Sequence, residues 1–460
     1  MSASIARELA ALLGAERVLP GTTQQYLVDA TETRNLRGHA DAIALPASPD
    51  QVAAVVAWCY AHDVPIVARG GGTGFTGGAV PVNGGVVVSL ERMAAIRQLE
   101  PELWRAAVDA GVPTAVLRRR ARENGLLFPP DPGAAEQSHI GGNIATNAGG
   151  PHTFKYGVTG AWVSGLEAVI APGETISIGG PTRKDVAGYD LRSLLIGSEG
   201  TLGIITGAWL KLTPAPEASL PLAAFYPSVA SGCAALMTVL ASGLLPAALE
   251  FLDEGSLRAT AAAFPGNVPA TARFMLIADA DGSAAEAGRL VAELVEALAD
   301  GALATHSPTE RRAIAELWRW RDGASLAVTA QRGGKVSEDI AVPVERLEEA
   351  IEATLEIGRR HELEACSWGH AGDGNLHSTF LIDPQRDDEV ARAEQAAEEL
   401  FALAGRLGGS VSGEHGLGWV KRGALAEQWA PAALALHEAL KRTFDPKNLL
   451  NPGKKLARRG

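Results

Sequence analysis

Apolar positions in the N-terminal part of the chain predict one helix and two short strands. Between residues 52 and 59 they recur at the three- and four-residue spacing of a helix face. The preceding SPDQ at 48–51 offers an N-cap serine, a first-turn proline and a capping-box glutamine. The runs 64–68 and 86–90 are short and apolar, as buried strands are.

The pattern in the second half predicts a further α/β layer, beginning where prolines in TPAP at 213–216 end the preceding strand. Strands alternate there with amphipathic helices, which is typical of mixed α/β packing. The predicted elements are strands at 222–226 and 273–278 and helices at 284–299, 388–408 and 431–443.

Three glycine-rich runs interrupt the first half of the chain, at 69–78, 129–150 and 197–206. Glycine lets successive backbone N–H groups converge on a phosphate oxygen, and small residues let a backbone lie flat against a large planar ligand. Each run alone is equally typical of tight turns. Their order and separation favour a ligand cradle.

The first run contains the pattern GxGxxG at Gly72, Gly74 and Gly77, which is typical of dinucleotide-binding Rossmann units. A Rossmann loop opens a helix, whose N-terminus meets the pyrophosphate. Here Pro81 and Gly84 follow within a few residues and disfavour a helix. The sequence predicts a strand–loop–strand cradle instead.

Composition narrows the class of protein. The 460 residues allow two or three domains, and the formal charge of −12 argues against nucleic acid or an anionic membrane surface as partner. Three scattered cysteines exclude a cysteine-ligated iron–sulfur cluster within the chain and suit a reducing compartment. Without a signal-peptide core or an apolar run of membrane-spanning length, we expect a cytoplasmic protein with no integral membrane segment.

Two short motifs near the C-terminus carry the candidate chemistry, GHAGDGNLH at 369–377 and SGEHGLG at 412–418. Two imidazoles and a carboxylate, from His370, His377 and Glu414, form a usual ligand set for a divalent metal. Zinc is the first candidate, with manganese and iron as alternatives. The adjacent His415 suits proton transfer at neutral pH. The same residues could instead belong to turns with incidental histidines, or to a metallohydrolase.

The first two glycine runs are followed by KYGVTG and then by GYDLRSLLIGSEGTLGIIT, which contains the third run. In this order they resemble the flavin domain of the vanillyl-alcohol oxidase/p-cresol methylhydroxylase superfamily. The two histidine motifs and the closing DPKNLLNPGK narrow this resemblance. They are similar to those of the FAD-linked D-2-hydroxyacid dehydrogenases, of the D-lactate dehydrogenase, glycolate oxidase flavin subunit and D-2-hydroxyglutarate dehydrogenase type. The resemblance covers roughly residue 20 to the end of the chain.

The resemblance implies an α+β fold in three parts. A two-part FAD-binding domain of the p-cresol methylhydroxylase type would span 1–214, with its core at 38–214. A ferredoxin-like cap carrying the substrate site would span 215–385. A C-terminal helical segment at 386–460 would return to the flavin domain and complete the FAD and active sites.

The resemblance also implies a set of FAD-binding residues in the glycine runs and the C-terminal tail. Because the first run contains no histidine, the FAD should be non-covalent, and His139 and His152 are interpreted as turn residues. The implied cofactor residues are Arg69, Gly70, Gly71, Gly72, Thr73, Gly74, Thr76, Gly77, Gly78, Pro130, Asp131, Pro132, Gly133, Ser138, Ile140, Gly142, Asn143, Thr146, Asn147, Ala148, Gly149, Tyr156, Gly157, Glu199, Gly203, Ile204, Ile205 and Asn451.

The implied reaction is oxidation of a D-2-hydroxy acid to the 2-oxo acid, with hydride transfer to flavin N5. His415 would be the base, and Arg321, Lys335 and Asn375 would complete the catalytic set around the metal. Relatives of the hydroxyglutarate type carry a lysine where this chain has Ser337–Glu338. That departure favours D-lactate or glycolate over D-2-hydroxyglutarate.

Electrons would leave to an external acceptor, such as an electron-transfer flavoprotein, a quinone-linked iron–sulfur subunit or a cytochrome. An alternative function is that of a flavoprotein electron-relay subunit in a larger oxidase complex. The sequence leaves the substrate, the metal and the acceptor open, and a homodimer is among the assemblies it permits.

Because no histidine stands in the first glycine run, acid precipitation of the purified protein should release all of the yellow flavin into the supernatant. Absorbance of the two fractions measures the outcome. Yellow colour that stays in the pellet would show that the flavin is attached covalently.

Overall fold

The computed structural model describes residues 2–31 and 36–456, and the chain divides into two compact units. Unit 1 comprises Met1–Gly149, Val158–Ala215 and Glu414–Gly460, and unit 2 comprises Gly150–Gly157 and Pro216–Gly413. Both units contain helices and strands, which confirms the α+β class. Among the helices described, none combines the length and apolarity that crossing a membrane requires.

Unit 1 contains a four-stranded sheet of order β1-β2-β4-β3, a five-stranded antiparallel sheet of order β5-β6-β10-β8-β9, and a two-stranded pair, β7 and β11. In the first sheet β2, β4 and β3 run parallel and β1 is antiparallel. The strands are β1 (Val18–Pro20), β2 (Ala42–Ala44), β3 (Ile66–Arg69), β4 (Val86–Ser89), β5 (Ile96–Glu100), β6 (Arg105–Asp109), β7 (Leu126–Leu127), β8 (Val163–Ile170), β9 (Glu174–Gly179), β10 (Ile204–Lys211) and β11 (Thr213–Pro214).

The helices of unit 1 pack around these sheets. They are α1 (Ser2–Leu13), α2 (Pro49–Ala61), α3 (Thr114–Glu123), α4 (Ile140–Thr146), α6 (Leu191–Leu195), α14 (Leu425–Gln428) and α15 (Pro431–Phe444). The predicted apolar face of α2 is buried against the four-stranded sheet. The capping box at its start is only half formed. Ser48 accepts a hydrogen bond from the Gln51 backbone N–H, but the Gln51 side chain accepts from Ala47 N–H and Arg17, because these donors lie within its reach.

The second glycine run contains a helix that we did not expect. The sequence suggested a backbone lying flat against a planar ligand, whereas its centre forms α4. Close packing explains the difference, since a Cβ on Gly141 would come within 2.6 Å of the Ala110 Cβ. The helix ends at Asn147, whose φ of 54° is left-handed and whose N–H bonds back to Asn143 and Ile144.

Unit 2 is built on a seven-stranded antiparallel sheet of order β15-β12-β14-β13-β17-β18-β16. The strands are β12 (Ala218–Tyr226), β13 (Ala248–Asp253), β14 (Phe274–Gly282), β15 (Ala304–His306), β16 (Gly334–Ala341), β17 (Glu364–His370) and β18 (Asn375–Ile382). The helices are α5 (Thr153–Tyr156), α7 (Val229–Ala241), α8 (Glu254–Thr260), α9 (Ala284–Ala299), α10 (Arg311–Asp322), α11 (Ala324–Ala330), α12 (Leu347–Arg360) and α13 (Asp387–Arg406).

Strand register gives the two faces of this sheet different neighbours. Trp368 of β17 lies opposite His377 of β18 and Leu252 of β13, so these three side chains share one face. The apolar part of that face packs against α10 and α11. Its other end carries the polar residues described below. The expected C-terminal segment 386–460 is divided, because α13 packs on β16 and β18 in unit 2 whereas α14 and α15 belong to unit 1.

Candidate active site

Unit 1 contains a cleft lined by all three glycine runs. It holds about 1240 Å³ of empty space, open solvent included, and is therefore large enough for a dinucleotide-sized cofactor. The loop between β3 and β4 forms one wall. Across this loop the chain passes from strand to strand with no helix between, as the sequence predicted when it disfavoured a Rossmann unit.

Most of the predicted cofactor residues line this cleft. Those that do are Arg69, Gly70, Gly71, Gly72, Thr73, Gly74, Thr76, Gly78, Pro132, Gly133, Ser138, Gly142, Asn143, Thr146, Ala148, Gly149, Glu199, Gly203, Ile204 and Ile205. The lining does not include Gly77, Pro130, Asp131, Ile140, Asn147 or Asn451. Ile140 is fully buried in the core of unit 1, and the Asn147 side chain accepts a hydrogen bond from Gly160 N–H.

Backbone amides dominate the loop wall. From Gly71 to Thr76 no N–H group donates to an acceptor within the described parts of the chain. Gly71 is held close to the second run, since a Cβ there would lie 2.0 Å from the Gln137 carbonyl oxygen. A Cβ on Gly74 would meet no atom within 4 Å. An array of open N–H groups beside open space fits the diphosphate of FAD.

Two predicted cofactor residues also hold the backbone of the cleft in place. The Arg69 guanidinium donates to the carbonyl oxygens of Gln25 and Val28 at 2.8 and 2.7 Å. The Asn451 side chain donates to the carbonyls of Gly78 and Glu199. Arg69 therefore ties residues 25–28 to the start of the loop, and Asn451 ties the C-terminal tail to the first and third glycine runs.

The C-terminal tail contributes a buried lysine next to the same loop. Lys454 donates to the carbonyl oxygens of Gly78 and Val80 at 2.8 and 2.6 Å. Burial lowers its pKa to about 7, although the carboxylates of Asp29 and Glu199 act in the opposite direction. The tail thus closes on the loop through main-chain acceptors.

Glu199 positions the second histidine motif within unit 1. Its backbone is left-handed, with φ of 54°, and its carboxylate accepts hydrogen bonds from the N–H groups of Leu417 and Gly418. Glycine is required beside it, because a Cβ on Gly418 would lie 2.2 Å from the Thr76 carbonyl oxygen. The segment that begins at Glu414 is therefore fixed against the first glycine loop.

Glu414 and His415 both line the cleft. The His415 ring lies 4.7 Å from that of Phe75, and its backbone carbonyl accepts a hydrogen bond from Thr76 Oγ1. The side chains of Glu414 and His415 are 16% and 17% exposed, so both remain accessible from the cleft. Unit 1 thus brings the predicted base to the space that fits FAD.

One cleft residue was interpreted wrongly from the sequence. His139, which we took for a turn residue, lines the cleft, and its buried Nδ1 has no hydrogen-bond partner among the described residues. Burial lowers its pKa, which favours the neutral imidazole. The sequence did contain a signal that His139 lines the cleft, because this histidine comes immediately before IGGN, among small residues.

Unit 2 holds the other two histidines on adjacent strands. His370 ends β17 and His377 lies in β18, with ring centroids 5.5 Å apart and nearly perpendicular at 84°. A single 3₁₀ turn joins the strands. Gly374 makes that turn possible, because its φ is 72° and a Cβ there would lie 2.0 Å from the Val342 carbonyl oxygen. The motif is therefore a tight hairpin, which its glycines allow.

Glu250 is a site residue that the sequence did not suggest. Its side chain is fully buried on β13, where it bonds to His370 Nδ1 at 2.6 Å and forms an ion pair with Arg321. Burial alone would raise the pKa of Glu250, but the charges of Arg321 and His370 lower it below its ordinary value. An ionised acceptor at Nδ1 favours the His370 tautomer whose Nε2 carries a lone pair, the form of histidine that ligates a divalent transition metal.

The remaining predicted catalytic residues lie in unit 2 and have protein partners. Asn375 donates to Asp339 Oδ1 at 2.6 Å and to the Ile340 carbonyl, and Ser412 donates to Asp339 Oδ2. Lys335 donates to Ser325 and lies over the Trp368 ring. These contacts fix the side chains on the face of the sheet that carries His377.

Tyr156 and Gly157, predicted to bind FAD, lie in unit 2 and are absent from the cleft lining of unit 1. The Tyr156 hydroxyl donates to Asp281, which also pairs with Lys155. Their short segment is therefore attached to the end of β14.

Comparison with known proteins agrees with these observations. A family model described as "FAD linked oxidases, C-terminal domain" matches residues 215–455, and one described as "FAD binding domain" matches residues 40–179. The 4-ethylphenol oxidase of Gulosibacter chungangensis has a similar fold, with a TM-score of 0.81 at 19% identity over 99% of this chain and 97% of that one. p-Cresol methylhydroxylase gives 0.80 at 18% identity over the same shares. These two structures confirm the predicted fold.

Proteins found by sequence comparison share a higher percentage of identical residues with this chain than these two structures do. "Glycolate oxidase subunit GlcD" of Bacillus subtilis is 38% identical over 94% of this chain and 92% of its own length. "D-lactate dehydrogenase" of Anaerostipes hadrus is 34% identical, over 88% and 87%. "D-2-hydroxyglutarate dehydrogenase" of Xanthomonas citri is 35% identical, over 92% and 90%. With a matching family model over more than half of its length and relatives of this similarity, the chain belongs to the FAD-linked oxidase family.

Proposed function

We propose that this protein is an FAD-dependent dehydrogenase that oxidises a D-2-hydroxy acid to the corresponding 2-oxo acid. The observation that carries the proposal is the lining of one cleft by both the open amides of Gly71–Thr76 and the side chain of His415. A basic group beside a cofactor-sized cleft suits proton abstraction coupled to oxidation. The names of the three relatives, which refer to glycolate, D-lactate and D-2-hydroxyglutarate, support this substrate class.

The protein's own residues would bind, orient and deprotonate the substrate. FAD, when bound, supplies the acceptor for the hydride of the substrate carbon. His370, His377 and Glu414 would hold a divalent metal, which would supply Lewis acidity that lowers the pKa of a hydroxyl group. His415 would take the hydroxyl proton, and the guanidinium of Arg321 would orient the carboxylate.

We propose a short monocarboxylic substrate, D-lactate or glycolate. A second carboxylate would call for a second cation in unit 2. Lys335 is the cation that the sequence suggested, and it donates to the backbone carbonyl and the hydroxyl of Ser325. Arg321 is already paired with Glu250 and is suited to one carboxylate at most.

Electrons would then leave to an external acceptor. The chain has three cysteines, fewer than the four that a cysteine-ligated iron–sulfur cluster requires, and all three are buried thiols. We propose an electron-transfer flavoprotein, a quinone-linked iron–sulfur subunit or a cytochrome as acceptor. Buried unpaired thiols also support a cytoplasmic location.

A substrate panel tests the proposed activity. With an artificial dye as acceptor, D-lactate or glycolate should reduce the dye, whereas L-lactate should not, and NAD should not replace the dye. The initial rate of dye bleaching is the measurement. A flavin-loaded protein that oxidises none of the D-2-hydroxy acids would contradict the proposal and favour the electron-relay subunit.

Two glycine substitutions test the cofactor loop. Gly74→Ala should leave the melting temperature of the apoprotein unchanged but raise the Kd for FAD about tenfold or more, because its methyl group enters open space in the cleft and overpacking costs about 1–3 kcal/mol. Gly71→Ala should lower the melting temperature of the apoprotein itself, because its Cβ meets the Gln137 carbonyl. Flavin fluorescence and calorimetry measure the two effects. If Gly74→Ala binds FAD with the wild-type Kd, this loop does not belong to the cofactor site.

Alanine substitutions separate metal ligands from the base. His377→Ala and Glu414→Ala should lose bound metal and activity together. His415→Ala should retain metal and FAD while kcat falls by about 10²–10⁴-fold, the usual range for a lost acid–base group. Metal analysis and dye reduction are the measurements. His62→Ala is the control, since this exposed histidine of unit 1 stacks on Trp58.

If His415→Ala loses as much metal as His377→Ala while FAD stays bound, His415 is a ligand and the base lies elsewhere.

A further inference from the structure

Glu250 occupies an unusual position in the sheet of unit 2. It lies in the middle of the apolar strand β13, and its side chain has no exposed surface. The strand register sets it directly opposite His370, and Arg321 reaches it from α10. A carboxylate is costly to bury unless it is paired and hydrogen-bonded. Its burial between two predicted site residues therefore calls for an explanation.

The two partners use different oxygen atoms of the carboxylate. His370 Nδ1 bonds to Oε1 and the Arg321 guanidinium bonds to Oε2. One side chain thus fixes the rotation of an imidazole on β17 and the position of a guanidinium on α10. The Arg321 Nε is buried and has no partner among the described residues, so Glu250 does not saturate this guanidinium.

We propose that Glu250 is a positioning residue that orients the metal-binding histidine and the substrate-binding arginine at the same time. The proposal rests on the proposed function and deepens it. By accepting from Nδ1, Glu250 selects the His370 tautomer whose Nε2 has a lone pair for a metal. By pairing with one end of the guanidinium, it directs the remaining N–H groups to a carboxylate. Loss of Glu250 should therefore weaken both metal and hydroxy acid binding.

The competing explanation is a buried ion pair that serves only stability. Asp253, on the same strand, provides a matched control. It is also buried, and it caps α8 through Ser256 and accepts from Ser367 N–H, with no predicted site residue among these partners. Asp253→Asn should therefore report the cost of altering a buried carboxylate of β13 without touching the site.

The experiment compares FAD-loaded wild type with Glu250→Gln, Glu250→Asp and Asp253→Asn. Competition of Zn²⁺ between protein and a chromogenic chelator gives the metal Kd, and dye reduction with the best acid of the panel gives KM and kcat. Glu250→Gln should bind Zn²⁺ about 10–100-fold more weakly, the usual effect of removing a hydrogen-bond partner of a metal ligand, and should raise KM. Glu250→Asp, which keeps the charge, should recover part of both losses. Asp253→Asn should have the same Zn²⁺ Kd and the same KM as the wild type.

A second readout does not depend on metal or activity. In ¹⁵N-histidine spectra of metal-free protein, the His370 resonance, assigned by its absence in His370→Ala, should report the Nδ1–H tautomer in wild type and lose that preference in Glu250→Gln. A Glu250→Gln protein with the wild-type Zn²⁺ Kd, KM and tautomer, whatever its stability, would overturn the inference. Wild-type protein that binds no Zn²⁺ and oxidises no hydroxy acid would instead overturn the proposed function, and the tautomer would still show whether Glu250 orients His370.

Discussion

Close contact between backbone segments is the constraint on which the cleft of unit 1 depends. The first glycine loop approaches the second run at Gly71, and the histidine motif approaches the first loop at Gly418, each within a distance that a Cβ would forbid. Glu199 supplies the hydrogen bonds that hold the motif there. The segment that carries His415 is held beside the first loop by the contact at Gly418 and the hydrogen bonds to Glu199, so a glycine three residues along the chain helps to determine where the base lies.

Unit 2 achieves a comparable precision by a different means. Its sheet is antiparallel and mostly apolar, and strand register brings His370, His377 and Glu250 onto one face. Removing the Glu250 carboxylate from water costs free energy. Its hydrogen bonds to His370 and Arg321 offset this cost and fix the geometry of both side chains. The strands provide the rigid support that a metal or carboxylate site needs.

The sequence was most informative where the signal is local. The helix expected at 284–299 is α9 to the residue, because leucines on one face and the Ser283–Glu286 capping box define it. The partners of Glu250 lie 71 and 120 residues away in the chain, so no local pattern connects them. The half-formed cap of α2 and the helix α4 differ from expectation for the same reason. Tertiary neighbours offered better hydrogen bonds or closer packing than the local sequence could indicate.

The amide array of Gly71–Thr76 has a consequence for how this protein can vary. Its hydrogen-bond donors are main-chain N–H groups, so they are present whichever side chains the loop carries. Among single substitutions in the loop, only proline deletes a donor outright. Substitutions other than proline would therefore keep these donors, and bulk is what limits them: a Cβ on Gly71 already meets the Gln137 carbonyl oxygen, and every charged side chain is larger still.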